Sequence, residues 1–297
     1  MIQTYNYLLK RILGMTLLLM FILLPVGAYG TYGSIDFNRL TNRDGLSNSQ
    51  VSAILKDDHG YVWFGTQSGL DRFDGFRMKP YLYDDKNDKS IPNNSVDEIQ
   101  QDADGNLWIH TSVGYCLYDY ETEQFDRKPE LRLKELGVAG APYKLLIDSK
   151  KNMWMPVYGQ GIYFIDTKNH TAYCFRFSKK HGMGTVPDYQ VSNIQEQKGM
   201  AVVTFNNGYM CRLDGYAQRV VWSDDFLMRS KVVKDNAVYS FVDSKNNYWV
   251  STNYGSLVYS TSLHKWFMSG REFLASQGIA YPADVAGHII VRDVACD

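Results

Sequence analysis

The chain has few cysteines, four in 297 residues, which excludes a disulfide-stapled scaffold. It has only 8 prolines, and 45 % of its residues are hydrophobic, so it is not a wholly disordered polymer. It lacks an excess of either charge: Lys+Arg 31 stand against Asp+Glu 32, a net of -1. That argues against a surface held to nucleic acid by a general basic field, and no nucleic acid is expected as a partner. Catalytic motifs are missing as well. There is no phosphate-cradling Gly loop with Lys-Ser/Thr, no His-Glu-x-x-His, no Cys-x-x-Cys and no Gly-x-Ser-x-Gly elbow. The six histidines include no i, i+4 pair, so a zinc site is not indicated. Asp102-Ala103-Asp104-Gly105-Asn106 begins like a calcium loop but has no distal Glu at the required spacing, and a hairpin turn explains it. These absences predict no catalytic residue, no metal and no cofactor.

Aromatic residues, by contrast, reach 14 %, with 22 Tyr. The first 30 residues stand apart. Lys10 and Arg11 precede an uncharged apolar run over 12–26, Pro25 breaks it, and Gly27, Ala28 and Gly30 follow. That order is the one found in a secretory signal peptide, with Val26/Ala28 or Ala28/Gly30 before the cleavage point. The alternative is an uncleaved membrane anchor; a run of 15 residues is shorter than the roughly 20 that span a bilayer, which favours the signal. Either way the remainder is exported, and no second run of spanning length follows.

The rest of the chain is a repeat. Trp63, Trp108, Trp154 and Trp249 sit in one local pattern, spaced by 45, 46 and 95 residues, and Val202 takes the missing place between the last two. Each copy has an apolar strand (51–55, 96–99, 143–147, 191–194, 238–242), a polar turn, the Trp strand, a short Gly-containing loop, a third strand, and a fourth strand rich in Phe and Tyr such as 171–177. Gly60, Gly105 and Gly199 stand three residues before the Trp column and supply a positive φ for a tight turn. Asn246 tolerates the same conformation, whereas Lys151 does not suit it, so that turn is expected to shift by one residue onto Asn152. A second glycine column runs through Gly69, Gly114, Gly161, Gly208 and Gly255.

Four short strands every 45–48 residues predict an all-β chain, a β-propeller of four-stranded antiparallel blades. The Trp column then packs blade on blade. The division reads 1–30 leader, 31–50 lead-in strand and loop, and blades at about 51–95, 96–142, 143–190, 191–237 and 238–284. Val291, Val294 and Asp297 reproduce the spacing of Val51, Ile54 and Asp57, so 285–297 reads as the start of a sixth unit and the ring as incomplete. A closed five-bladed ring, with the tail or residues 37–40 completing a blade, is the alternative. Cys116 and Cys211 fall on equivalent third strands two blades apart and, with Cys174, read as small buried apolar residues; Cys296 stands near the end of the chain.

In such a meander the approach to the first strand and the loop between second and third strands emerge together, where a concave site forms. The approaches offer Asn48, Gln50, Asn94, Tyr189 and Gln190; the second loops offer Gln67, Tyr158, Asn207, Asn253 and Tyr254. Amides bond hydroxyls and Tyr faces stack on sugar C–H surfaces, so this set suits a neutral polyhydroxylated ligand. The plainer reading is that amides simply populate loops.

Asp44-Gly45-Leu46-Ser47-Asn48-Ser49-Gln50-Val51, Gly60-Tyr61-Val62-Trp63-Phe64-Gly65-Thr66, Gly69-Leu70-Asp71-Arg72-Phe73-Asp74 and Asp104-Gly105-Asn106-Leu107-Trp108-Ile109-His110-Thr111 resemble the two-component regulator propeller family. The resemblance covers about residues 34–297 and is weakest in the fourth blade. It implies the periplasmic sensor half of a hybrid two-component histidine kinase of the kind typical of Bacteroidetes, cut here to an N-terminal fragment. Further blades, a second propeller, a β-sandwich, a membrane helix, a kinase, a receiver and a DNA-binding domain would follow, none of them in this sequence. It also implies non-catalytic sensing of an oligosaccharide, with the rest of the receptor chain and a second receptor copy as partners. The competing classes are a secreted propeller glycosidase or lyase and a protein-binding scaffold.

Overall fold

The computed structural model describes residues 39–178, 185–230, 239–252 and 255–278. The leader, residues 31–38 and the start of a sixth unit at 285–297 lie outside the described residues, as do Asn253 and Tyr254. The described part of the lead-in segment holds no strand. Its one element is a 3-10 turn at Asn42–Asp44, in which the Asp44 carboxylate accepts from the backbone N–H of Thr41.

Five sheets follow one another along the chain. The first holds β1 (Val51–Lys56), β2 (Val62–Thr66), β3 (Gly69–Phe73) and β4 (Met78–Tyr81). The second holds β5 (Val96–Gln101), β6 (Leu107–Thr111), β7 (Gly114–Asp119) and β8 (Gln124–Asp126). The third holds β9 (Leu146–Ile147), β10 (Met153–Val157), β11 (Gly161–Asp166), β12 (Thr171–Phe177) and β13 (Thr185–Val186). The fourth holds β14 (Val191–Gln197), β15 (Met200–Phe205), β16 (Met210–Asp214) and β17 (Arg219–Asp224). The fifth holds β18 (Tyr239–Val242), β19 (Tyr248–Thr252), β20 (Gly255–Ser260) and β21 (Lys265–Phe267). Each is an antiparallel meander in sequence order, the construction of a propeller blade.

The third sheet departs from four strands. β13 adds in parallel to β12, pairing Arg176 with Thr185 and Phe177 with Val186, and so covers an edge the other sheets leave open. Its first strand is also shorter than the expected 143–147. Pro156 on β10 has no N–H to give the ladder, and pairing lapses between the isolated Pro142–Val157 bridge and Leu146. Three short helices lie in the connections, where the repeat predicted only loops: α1 (Pro129–Glu135), α2 (Phe226–Ser230) and α3 (Gly270–Ser276).

Hydrophobic cores form between sheets. Trp63, Leu70 and Tyr81 of the first pack with Ile99, Ile109 and Tyr118 of the second. Trp108 and Leu117 meet Met155 and Tyr163 of the third. Trp154 and Phe164 meet Val203 and Leu213 of the fourth, and Val202 and Met210 meet Tyr248 and Val250 of the fifth. On the far side of the fifth sheet Phe273 of α3 packs on Val258 and Phe267 and meets the Trp249 ring edge-on at 5.5 Å.

Four of the five first hairpins share one polar device. Asp57, Asp102, Asp148 and Asp243 each accept the indole N–H of the Trp six residues on, at 2.7, 2.9, 3.2 and 2.9 Å. The same carboxylates accept backbone N–H groups two and four residues on, as Asp148 does from Lys150 and Asn152, both at 2.9 Å. Asn106, Asn152 and Asn247 add a side-chain amide, and in the first sheet Tyr120 from the next blade donates its hydroxyl to Asp57 instead. This explains why the third turn does not shift. Asn152 is held by both its backbone and side-chain nitrogens on Asp148, so the left-handed residue remains Lys151, with φ 66°.

The fourth hairpin lacks both ends of the device, with Glu196 and Val202 where Asp and Trp stand elsewhere. Its strand runs on to Gln197, and a two-residue loop of Lys198 (φ 51°) and Gly199 (φ 74°) closes it in place of the longer turn predicted. Glu196 instead accepts from the backbone and hydroxyl of Ser149, both at 2.6 Å, at an exposed site.

Asp102→Ala would strand several buried donors and should cost about 3 kcal/mol, while Glu196→Ala should cost under about 1 kcal/mol, in urea unfolding. Equal losses would show that the carboxylate is not what holds the turn. Lys151→Gly should stabilise by about 0.5–1 kcal/mol, because relief of the left-handed strain exceeds the added unfolded-state freedom. A lowered Tm would contradict this.

Candidate functional site

The first strands of successive sheets approach one another, and hydrogen bonds join them. Ser52 Oγ donates to the Val96 carbonyl at 2.5 Å. Gln100 gives its amide N–H to the Leu145 carbonyl at 2.7 Å and accepts the Ile147 N–H at 2.8 Å. Gln195 does the same with the Ser240 carbonyl and the Val242 N–H. Between these strands opens a cavity of about 300 Å³, lined by Asp97, Glu98, Tyr143, Lys144, Asn193 and Tyr239 together with His110 of β6.

Its charged groups are already arranged. Asp97 Oδ1 lies 2.6 Å from His110 Nδ1. Glu98 accepts the Tyr115 hydroxyl at 2.8 Å and a Gln100 amide N–H. Burial pushes the Glu98 carboxyl up, against the opposing pull of the Tyr115 and Gln100 hydrogen bonds and of the His110 and Lys144 charges. Burial likewise raises the Tyr115 hydroxyl, reinforced by the Glu98 charge. Among the described residues no cluster of three or more His, Cys, Asp or Glu is placed to hold a metal ion.

The loop residues predicted from sequence lie elsewhere. Asn48 donates to Ser68 Oγ at 2.9 Å and accepts the Gln50 N–H at 2.8 Å. Gln67 accepts the Ser95 hydroxyl of the next blade at 3.0 Å. The Gln190 carbonyl accepts the Asn206 N–H at 2.9 Å. These contacts set the approaches to the first strands beside the second loops. Asn94 is occupied by the Tyr83 N–H, and Asn207 by the Tyr209 N–H and Met228 Sδ, so part of their bonding capacity shapes the loops themselves. Tyr189 and Gln190 are exposed.

Tyr158 differs from the rest. The second loop of the third sheet joins Val157 to Gly161, one residue more than the loops joining Thr66 to Gly69 and Thr111 to Gly114. It carries Tyr158 outward, 64 % exposed, with its ring stacked 4.1 Å from Tyr143. Tyr143 in turn accepts the Val191 N–H at 3.0 Å and lines the cavity. The Tyr143–Tyr158 pair thus links the loops to the cavity.

Sequence reasoning missed Asp97, Glu98, His110, Lys144, Asn193 and Tyr239. The signal was present: polar side chains interrupt first strands that otherwise read as apolar.

With the fold and cavity established, comparison with known proteins places the chain. Its five antiparallel sheets are built as β-propeller blades are, and the sequence profile of the two component regulator propeller family matches residues 45–68 and 90–112. An 81-residue stretch is 33 % identical to Histidine kinase P4 of Formosa agariphila, covering 27 % of this chain and 6 % of that protein. The fold superposes on the extracellular domain of a hybrid two component system from B. thetaiotaomicron with a TM-score of 0.54, at 23 % identity, over 77 % of this chain and 31 % of that one. A second such domain from the same organism gives 0.51 at 19 % identity, over 73 % and 30 %. At these identities the likeness is one of fold. The chain spans less than a third of those solved chains.

Glu98 offers a test of the cavity's electrostatics. Its raised carboxyl binds a proton more tightly folded than unfolded, so the associated stability is full below the ordinary glutamate range and is lost as pH rises through the raised value. Glu98→Gln should therefore gain on the parent in urea unfolding as pH rises from about 4 to about 7. A difference that does not change with pH would refute this.

Proposed function

We propose that the chain is a sensing segment of an extracellular two-component receptor, exported to the periplasm, which recognises an oligosaccharide and passes the signal to a kinase. The two family-profile matches and the extracellular two component system domains sharing the fold support the receptor context. The observation that carries the saccharide reading is the Tyr143–Tyr158 stack, an exposed aromatic face beside amide-bearing loops at the mouth of a polar cavity. Aromatic faces pack on sugar C–H surfaces, while amides and carboxylates bond hydroxyls. Ligand bound across several blades would bias the arrangement of two receptor copies and so the distant kinase. Among the described residues no helix is long and apolar enough to cross a membrane.

Asp97 and Glu98 belong to one strand, and both already hold partners. Glycoside hydrolysis uses two carboxyl groups on opposite sides of the bond, so the pair does not favour a hydrolase. Titration calorimetry of the full chain with a panel of glycan-derived oligosaccharides should show binding to at least one. Tyr158→Ala should weaken it about tenfold, near 1.4 kcal/mol, with little change in Tm. Silence across the panel would overturn the saccharide reading, and product formation with turnover would replace it with an enzyme.

A further inference from the structure

Aligning the five first strands on the residue opposite the Trp column isolates one unusual position. The partners are Leu55 with Trp63, Gln100 with Trp108, Leu146 with Trp154, Gln195 with Val202, and Phe241 with Trp249. Two residues earlier stand Ala53, Glu98, Lys144, Asn193 and Tyr239. Packing columns reuse one chemistry from blade to blade, as the Trp and Asp columns do. This column never repeats: it offers a methyl, a carboxylate, an ammonium, an amide and a phenol. Four of the five, from four consecutive sheets, line the same cavity. On the adjoining strand, the residue at the same level is Gly65, Thr204 or Ser251 in three sheets, and only the second places an imidazole there, His110. A repeated scaffold that presents a different group from each blade to one cavity is fitted to a small, asymmetric molecule.

The chemistry of that molecule follows from the charges. Asp97 lies against the His110 ring nitrogen, and the Glu98 carboxylate faces the same space as the Lys144 ammonium. No single sign dominates, so the cavity selects by directional hydrogen bonds, which suits hydroxyl groups that both donate and accept. A volume of about 300 Å³ is at the low end of the roughly 300–1,000 Å³ of small-molecule pockets, on the scale of one sugar ring. Tyr143 lines the cavity and also lies under the exposed Tyr158, so a second ring joined to the first would emerge across that stack.

We propose that this cavity holds the single terminal ring of a neutral saccharide, so that the protein reads chain ends. The inference rests on the oligosaccharide reading above. Titration of the full chain with short neutral oligosaccharides, their terminal monosaccharides, galacturonate and glucosamine tests it. Glu98→Gln, Lys144→Met and Asn193→Ala should each lower affinity for the bound oligosaccharide at least tenfold while circular dichroism stays that of the parent and none melts below it by more than a few degrees, and the terminal monosaccharide should compete. Oligosaccharide binding that survives all three substitutions but is lost in Tyr158→Ala would overturn the cavity and leave the loop-face reading standing. Preference for galacturonate or glucosamine would overturn the neutral class. Binding of no saccharide by the parent would remove both readings together.

Discussion

The bond from an indole N–H to the carboxylate six residues earlier is the constraint on which the blades depend. A Trp buried between two sheets contributes a large apolar area, but its N–H needs an acceptor there. The turn aspartate supplies one and spends its remaining lone pairs on the backbone N–H groups that shape its own turn. One side chain therefore fixes the hairpin and the depth of the Trp at once. The fourth sheet shows the coupling from the other side. There both partners are gone, the turn contracts to two residues, and Gln197 accepts from Arg212 at 3.0 Å and from Tyr248 of the next sheet at 2.7 Å. That substitute is less complete, since Arg212 Nε is buried without a hydrogen-bond partner.

Sheets are also joined along their first strands, and two of the four junctions share one device. Gln100 and Gln195 act as two-point clamps, an amide giving and receiving one bond each with the backbone of the next first strand. Between the first and second sheets the link is Ser52 to the Val96 carbonyl and the Asp58 N–H to the Gln101 side-chain Oε1 at 3.0 Å. Between the third and fourth it is Tyr143 to Val191 and Glu196 to Ser149. Polar groups drawn from the backbone of a neighbour are satisfied without water, so first strands can border a polar cavity and stay ordered.

Much of the fold was legible because its period is local. The Trp spacing, the turn glycines and the alternation of short strands each lie within one repeat. The errors came from partners about one repeat away or from competing demands inside a turn. Lys151 looked unsuited to its place until the hold of Asp148 on Asn152 made any shift more costly than a left-handed lysine. β13 arises from a pairing beyond the repeat's own four strands, which a repeat-based reading has no reason to expect. The loop set of the site was readable as polar loops. The cavity set was not, because Glu98, Lys144, Asn193 and Tyr239 each stand alone in their blade, and comparing repeats treats such differences as decay of the pattern.

That inversion has a physical basis. Stability in stacked blades is approximately a sum of unit and interface terms, so it rewards sameness at packing positions. The column of Ala53, Glu98, Lys144, Asn193 and Tyr239 holds no one packing chemistry, although Ala53 packs on the core and Asn193 gives its amide to the Ser240 carbonyl. Where several such unlike positions converge on one cavity, their variety would suit a ligand without rotational symmetry, which needs a different partner in each direction. The same column in the first sheet is Ala53, outside the lining of the cavity, where no polar group is called for. Stacked repeats thereby hold unlike groups at fixed separations, a preorganisation that would let a small polar ligand be recognised without ordering a loop around it.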